Sequence, residues 1–233
     1  MSAVQMDGKA LAAKVKEEVR RQVEGLQKKP GLAVVLVGDD PASRVYVNGK
    51  KRDCAECGIY SEEYHLPQET TREQLLELVR ALNEREEMDG ILVQLPLPGH
   101  LDEREVLLTI RPDKDVDCFH PFNVGQLMIG EQSFQPCTPA GVMQMLEEYG
   151  IDPAGKHCVV VGRSNIVGKP QAMLMLQKNA TVTICHTGTR NLKEMCLQAD
   201  ILVAAAGRAG LITGDMVKEG AVVIDVAMNR NRE

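Results

Sequence analysis

The sequence predicts an α/β protein: two α/β domains flanking a cleft, the second a Rossmann-like doubly wound parallel sheet. Three observations carry this. Continuous apolar runs bounded by glycine, such as Leu32-Ala33-Val34-Val35-Leu36-Val37, have the pattern of parallel strands buried on both faces. These runs alternate with stretches whose apolar residues recur at helical spacing. A strand, a glycine turn and a helix, Val159 to Pro170, open the second half as nucleotide-binding sheets do.

The elements follow in order. Leu11, Val15, Val19, Val23 and Leu26 mark a helix over residues 10–26, stopped by Lys28-Lys29-Pro30-Gly31. Residues 32–38 form a buried strand, and Asp39-Asp40-Pro41 turns into a helix that carries Ser43 to Gly58. Another amphipathic helix starts near Thr70 or Thr71, either of which can cap it. Residues 90–98 read as a second strand that ends in Leu95-Pro96-Leu97-Pro98, since proline cannot donate to a ladder. From Arg111 to Thr138 the pattern is irregular, with a short helix near Asn123 to Gly130; long loops of this kind are often functional. A helix is then expected with Thr138 as its cap and Pro139 at its first position, and the domain boundary falls there. The second half reads as strands near residues 157–161, 180–185, 200–207 and 220–229, separated by helices.

Composition excludes several classes. A chain of 233 residues can bury a sizeable core. Its net charge of −6 offers no basic surface to nucleic acid. No apolar run spans a bilayer, so no membrane partner is expected. Seven cysteines in a chain of this size read as reduced thiols in the cytoplasm. Cys54 and Cys57 form an isolated C-x-x-C inside a helical pattern; no second ligand pair is spaced for zinc, so they read as structural and no metal is expected.

Candidate reactive groups lie mostly in the first half. Tyr46, Lys50 and Cys54 recur every four residues and so share one helical stripe. Lys50 is open to two readings, a solvated helix lysine or an amine aimed at a ligand. Gln94 ends a predicted strand, where ligands gather in parallel sheets, and Asp117 sits in the irregular Asp113-Lys114-Asp115-Val116-Asp117 run. In the second half Gly162 and Gly168 bracket a turn that can admit a pyrophosphate. The next strand ends Ile184-Cys185-His186-Thr187, with Arg190 close by and no acid, and Arg163 adds a further cation. A carboxylate there would take ribose hydroxyls, whereas arginines and hydroxyls favour a 2′-phosphate, hence NADP.

The motifs Ser43-Arg44-Val45-Tyr46-Val47-Asn48-Gly49-Lys50, Leu92-Val93-Gln94-Leu95-Pro96-Leu97-Pro98, Asp113 to Asp117, Pro136-Cys137-Thr138-Pro139 and Gly162 to Pro170 occur in one order. In that order and spacing the chain resembles the bifunctional methylenetetrahydrofolate dehydrogenase/methenyltetrahydrofolate cyclohydrolase family of the bacterial FolD type. The resemblance implies a folate-binding catalytic domain over residues 1–137 and an NADP-binding domain over residues 138–233. It implies oxidation of 5,10-methylenetetrahydrofolate with NADP, then hydrolysis of the methenyl product to 10-formyltetrahydrofolate, by a homodimer. By resemblance Lys50 is catalytic with Tyr46 and Gln94, Leu95 and Pro96 line the substrate, and Asp117 holds the pterin. Gly162, Ser164, Ile166, Val167, Gly168 and His186 would bind cofactor, with Arg163 and Thr187 on its 2′-phosphate. The sequence departs from the family pattern at Cys118 and Ala227, where glycine is usual, and at Gly207-Arg208-Ala209-Gly210, which lacks a usual proline. Relatives continue past the position of Glu233 through a segment that touches cofactor and folate, and the dehydrogenase reaction is expected to need it.

Overall fold

The computed structural model describes residues 3–132 and 134–228, and its contacts divide the chain into two compact units, Met1–Asn123 and Val124–Glu233. The first unit is built on a three-stranded parallel sheet in the order β2-β1-β3, formed by β1 (Gly31–Val37), β2 (Tyr60–Leu66) and β3 (Gly90–Val93). Register runs from Gly31↔Tyr60 to Val37↔Leu66 on one side of β1 and from Leu32↔Gly90 to Val35↔Val93 on the other. β1 is central and buried on both faces, which is why it reads as an unbroken apolar run.

Helices α1 (Gly8–Glu24), α2 (Pro41–Cys57), α3 (Arg72–Glu84) and α4 (Glu103–Thr109) complete this unit. Ala33, Val35 and Val37 pack with Leu75, Leu76, Val79 and Leu82 of α3, while Val34 and Leu36 pack with Val47 of α2. The ends of the helices follow local chemistry. The Asp40 carboxylate accepts from Ser43 N at 2.8 Å and Pro41 opens α2, which closes at Gly58 with φ +75°. Thr71 caps α3 in a reciprocal pair with Gln74, so Thr71 rather than Thr70 fills that position.

The second unit holds a four-stranded parallel sheet in the order β5-β4-β6-β7: β4 (His157–Val161), β5 (Thr181–Cys185), β6 (Ile201–Ala204) and β7 (Val222–Asp225). Because β5 and β6 flank β4 on opposite sides, chain direction across the sheet reverses there, giving a switch point at the C-terminal ends of β4 and β6. Helices α6 (Cys137–Glu148), α7 (Gly168–Gln177) and α8 (Leu192–Leu197) accompany it, and α5 (Pro121–Ile129) straddles the division between units.

Several expectations need correction. β2 was not anticipated: its Tyr-Ser-Glu-Glu-Tyr-His-Leu sequence is largely half-exposed and charged, as an edge strand tolerates. α4 was also unforeseen. The strand expected over residues 90–98 stops at Val93. α6 begins at Cys137 with Pro136 in the cap position and no side-chain cap, so Thr138 does not cap it and Pro139 is its third residue. Asn229, in the last expected strand, Ser133, in the expected irregular segment, and the end at Glu233 lie outside the described residues. Thr71→Ala removes one half of the α3 capping box and is expected to lower unfolding stability by about 1 kcal/mol; an unchanged urea midpoint would show that the pair is energetically silent.

Candidate functional site

The sheet-facing row of α2 consists of Ser43, Val47, Lys50, Cys54 and Cys57, spaced four and three residues apart. Four of these are buried and the fifth is an amine. Lys50 therefore lies in the core-facing row, while Tyr46, expected on the same stripe, flanks it at 45% exposure. Lys50 Nζ donates to Gln94 Oε1 at 3.1 Å. The Gln94 amide is held in that sense because its own Nε2 donates to the Leu95 carbonyl at 2.8 Å, and Gln94 N donates to Val35 O at 2.9 Å, one step past β3. The Leu95–Pro96 bond that follows is cis. Among the described residues the Tyr46 hydroxyl has no hydrogen-bond partner. Cys54 and Cys57 are free thiols pushed up mainly by burial, and Cys57 Sγ donates to Lys16 O at 3.6 Å. Among the described residues no group of three or more His, Cys, Asp or Glu is gathered for a metal ion.

Asp117 stands in a tight loop after the 3₁₀ turn Pro112–Lys114. The loop is fixed on both sides of it. Val116 packs with the Val34–Leu36 face of the sheet and fills the space a side chain at Gly90 would take, only 2.5 Å from an ideal Cβ. Cys118 is fully buried at φ +59°, a left-handed conformation costing a non-glycine residue roughly 1–2 kcal/mol. That conformation accounts for the glycine usual at this position. Burial pushes the Asp117 carboxyl up from its ordinary value of 3.8; Lys50 opposes that shift and Asp115 adds to it. The Cys118 thiol, desolvated beside Asp115, is pushed up to about 11 and so stays protonated and unreactive. Sequence reasoning singled out Asp117 and passed over Asp115, which is more deeply buried. The Asp-Val-Asp spacing does not separate the two, because residues two apart in an extended segment point the same way.

In the second unit the expected cofactor residues gather at the C-terminal ends of β4 and β5, adjacent strands joined by Gly162 N→Cys185 O at 2.9 Å. Gly162 has φ +141°, and an ideal Cβ on it would sit 2.5 Å from Ala205 O. A Cβ on Gly168 would sit 2.2 Å from Gly162 O. Both glycines are thus required by the turn's own packing. Ser164 Oγ accepts from Val167 N at 3.1 Å and Gly168 N at 3.2 Å, holding the entry to α7. Ile166 is exposed and Val167 half-buried. His186 Nδ1 accepts from Gly188 N at 3.0 Å, and His186 N donates to Thr189 Oγ1 at 2.8 Å, closing a turn that leaves Thr187 exposed. Arg163 and Arg190 are exposed and have no carboxylate partner among the described residues. A cradle that excludes side chains, next to two unpaired cations and no acid, fits a phosphorylated dinucleotide.

Comparisons with known proteins agree with these features. Residues 6–117 match the model of the tetrahydrofolate dehydrogenase/cyclohydrolase catalytic domain, and residues 136–233 that of the NAD(P)-binding domain of the same proteins. Bifunctional protein FolD of Ruminiclostridium cellulolyticum is 58% identical over 236 residues, covering 100% of this chain and 83% of its own. The crystal structure of FolD methylenetetrahydrofolate dehydrogenase/cyclohydrolase from Campylobacter jejuni superposes with a TM-score of 0.96 at 48% identity, over 99% of this chain and 83% of that one. The Trypanosoma brucei FolD methylenetetrahydrofolate dehydrogenase-cyclohydrolase, solved with NADP cofactor and inhibitor, gives 0.94 at 40% identity, over 98% and 80%.

A pH signature of Asp117 follows. A carboxyl pushed up in the folded state contributes stability below its unfolded value and loses it as pH rises through the folded value. Asp117→Asn removes that loss. Its urea midpoint is expected above that of the unmodified protein at pH 7, the gap closing toward pH 4; a variant less stable at pH 7 would reverse the assignment.

Proposed function

The chain belongs to the tetrahydrofolate dehydrogenase/cyclohydrolase family, and from that premise we propose that it oxidises 5,10-methylenetetrahydrofolate with NADP and hydrolyses the methenyl product to 10-formyltetrahydrofolate. One observation carries the reading most: a lysine in the sheet-facing row of α2, hydrogen-bonded to a strand-end glutamine. Hydration of a methenyl carbon needs a proton taken from water and one returned, and the Lys50 amine can do both at Nζ. Gln94 orients that amine without adding charge. Tyr46 flanks the amine and offers a phenol to a bound folate, Leu95 and Pro96 border the ligand, and the Asp117 carboxylate accepts paired hydrogen bonds from the amino-pyrimidine edge of the pterin.

NADP, when bound, supplies the hydride acceptor. Gly162 and Gly168 let backbone approach its pyrophosphate. Ser164, Ile166, Val167 and His186 line it, and Arg163 with Thr187 takes the 2′-phosphate. Residues 1–137 would bind folate and residues 138–233 the nucleotide. None of the seven cysteines is in a disulfide, which suits a cytoplasmic enzyme. A homodimer is the family's habit, and light scattering on the purified protein tests it. The activity itself is tested by absorbance at the NADPH and methenyl bands with methylenetetrahydrofolate and NADP.

Two variants divide the roles. Lys50→Met is expected to lower methenyl hydrolysis by about 10²–10⁴-fold while part of the dehydrogenase survives, so the methenyl product accumulates. Lys50→Arg should not restore hydrolysis, because a guanidinium keeps its proton. Hydrolysis at the unmodified rate in Lys50→Met would return Lys50 to an ordinary lysine. Arg163→Ala is expected to weaken NADP by roughly 1.5–3 kcal/mol, the worth of a charged hydrogen bond, and NAD far less. Titration calorimetry showing equal losses would remove Arg163 from the 2′-phosphate.

A further inference from the structure

We propose that Asp115 is a positioning residue for the folate reaction: its buried carboxylate ties shut the loop Asp115–His120 and so fixes where the Asp117 carboxylate stands. The inference rests on the reading that Asp117 contacts folate, and adds a residue to it. Asp115 is 2% exposed. Its backbone joins the edge of the sheet through a parallel bridge to Ile91 of β3. Its carboxylate reaches forward over the loop: Oδ2 accepts from His120 N at 2.8 Å and from Asn123 Nδ2 at 2.9 Å. Asn123 Nδ2 also donates to Pro112 O at 2.8 Å, so the segment before the loop is drawn to the same point. Within the loop Cys118 N donates to Asp115 O at 3.4 Å.

One residue therefore anchors the start of the loop on β3 through its backbone and clasps the loop's end through its side chain. Asp117, two residues on, is left half-buried at the bend, with Val116 and Cys118 packed inward on either side. A carboxylate in a loop finds a ligand's edge only if the loop has one geometry, and a first contact made by a positioned group is lost with small displacements. Neither Val116 nor Cys118 bridges the loop's two ends; Asp115 does. Both clasping bonds land on the same oxygen, so an asparagine carbonyl can replace it, whereas alanine loses both.

The test is a set of variants assayed with tetrahydrofolate as probe, with calorimetric affinity and the KM and kcat of methenyl hydrolysis as readouts. Asp117→Ala comes first; if it leaves tetrahydrofolate affinity unchanged, the folate role of Asp117 fails and the positioning role falls with it. Given a loss there, Asp115→Ala is expected to weaken tetrahydrofolate about tenfold or more and raise KM with kcat within about threefold, NADP affinity being unaltered. Asp115→Asn should recover most of that loss. Asp115→Ala combined with Asp117→Ala should bind no more weakly than Asp117→Ala alone, because a group acting through another adds nothing once the other is gone. Additive losses, an asparagine no better than alanine, or a fall in kcat alone would each overturn the positioning role while leaving that of Asp117 intact. If Asp115→Ala does not fold, Asn123→Ala removes one clasping donor only; it should weaken tetrahydrofolate several-fold, and unchanged affinity would overturn the proposal.

Discussion

The first unit depends on one constraint: an amine sits in the row of α2 that packs against the sheet. An amine in that row needs a hydrogen-bond partner, because a polar group withdrawn from water without one is unfavourable. Gln94 supplies that partner from the end of β3, and much of the local architecture follows. Gln94 must stay in ladder register, which its bond to Val35 O ensures, and the strand must then stop, which Leu95-Pro96 brings about. A glutamine meets the need better than a carboxylate would. It orients the amine through a hydrogen bond and adds no charge of its own.

The carboxylate side has a complementary construction. Asp117 is desolvated and Lys50 is near enough to pull its carboxyl partly back, so the lysine biases the carboxyl across one patch of the unit. Such a bias is useful only if both are fixed. Lys50 is fixed by a 17-residue helix packed on β1, while Asp117 stands on a loop that must borrow rigidity. It borrows from Val116, wedged where Gly90 has no side chain, and from the buried residue Cys118. The glycines of the second unit have the same logic with a different object. Gly162 and Gly168 are dictated by contacts between turn, helix and Ala205.

Legibility in the sequence followed burial. β1, β4 and β6 were readable because a strand covered on both faces is apolar along its buried length. β2 was not, because an edge strand carrying Glu62, Glu63 and His65 has the composition of a loop; its order comes from pairing with β1, a tertiary fact. The start of α6 was misplaced because Thr138-Pro139 satisfies a capping pattern, whereas the chain enters the helix two residues earlier, at Cys137. At the site, residue types at strand ends were legible and contacts were not. Lys50 and Gln94 could be singled out separately, yet their hydrogen bond spans 44 positions of sequence. Asp115 was invisible as a scaffold because nothing in an Asp-Val-Asp run says which carboxylate turns inward.

Departures from local rules gather in one region of the first unit. A lysine occupies a core row, an aspartate is held where ionisation is disfavoured, and a cysteine takes a backbone conformation suited to glycine. Each is unfavourable alone, and each is over-determined by neighbours that are not: Val47 and Cys54 beside Lys50, Val116 beside Asp117, the sheet beneath all of them. The second unit has a misfit of another kind. Gln171 Oε1 is buried without a partner among the described residues, but it lies within α7, with its Nε2 on Met143 Sδ at 3.5 Å. An isolated misfit of that sort is a packing defect that a stable core tolerates. Three misfits sharing one amine and two carboxylates are not independent accidents, because relaxing any one would change the field or the geometry felt by the others. The β1 core, apolar on both faces, supplies the stability against which that arrangement is held.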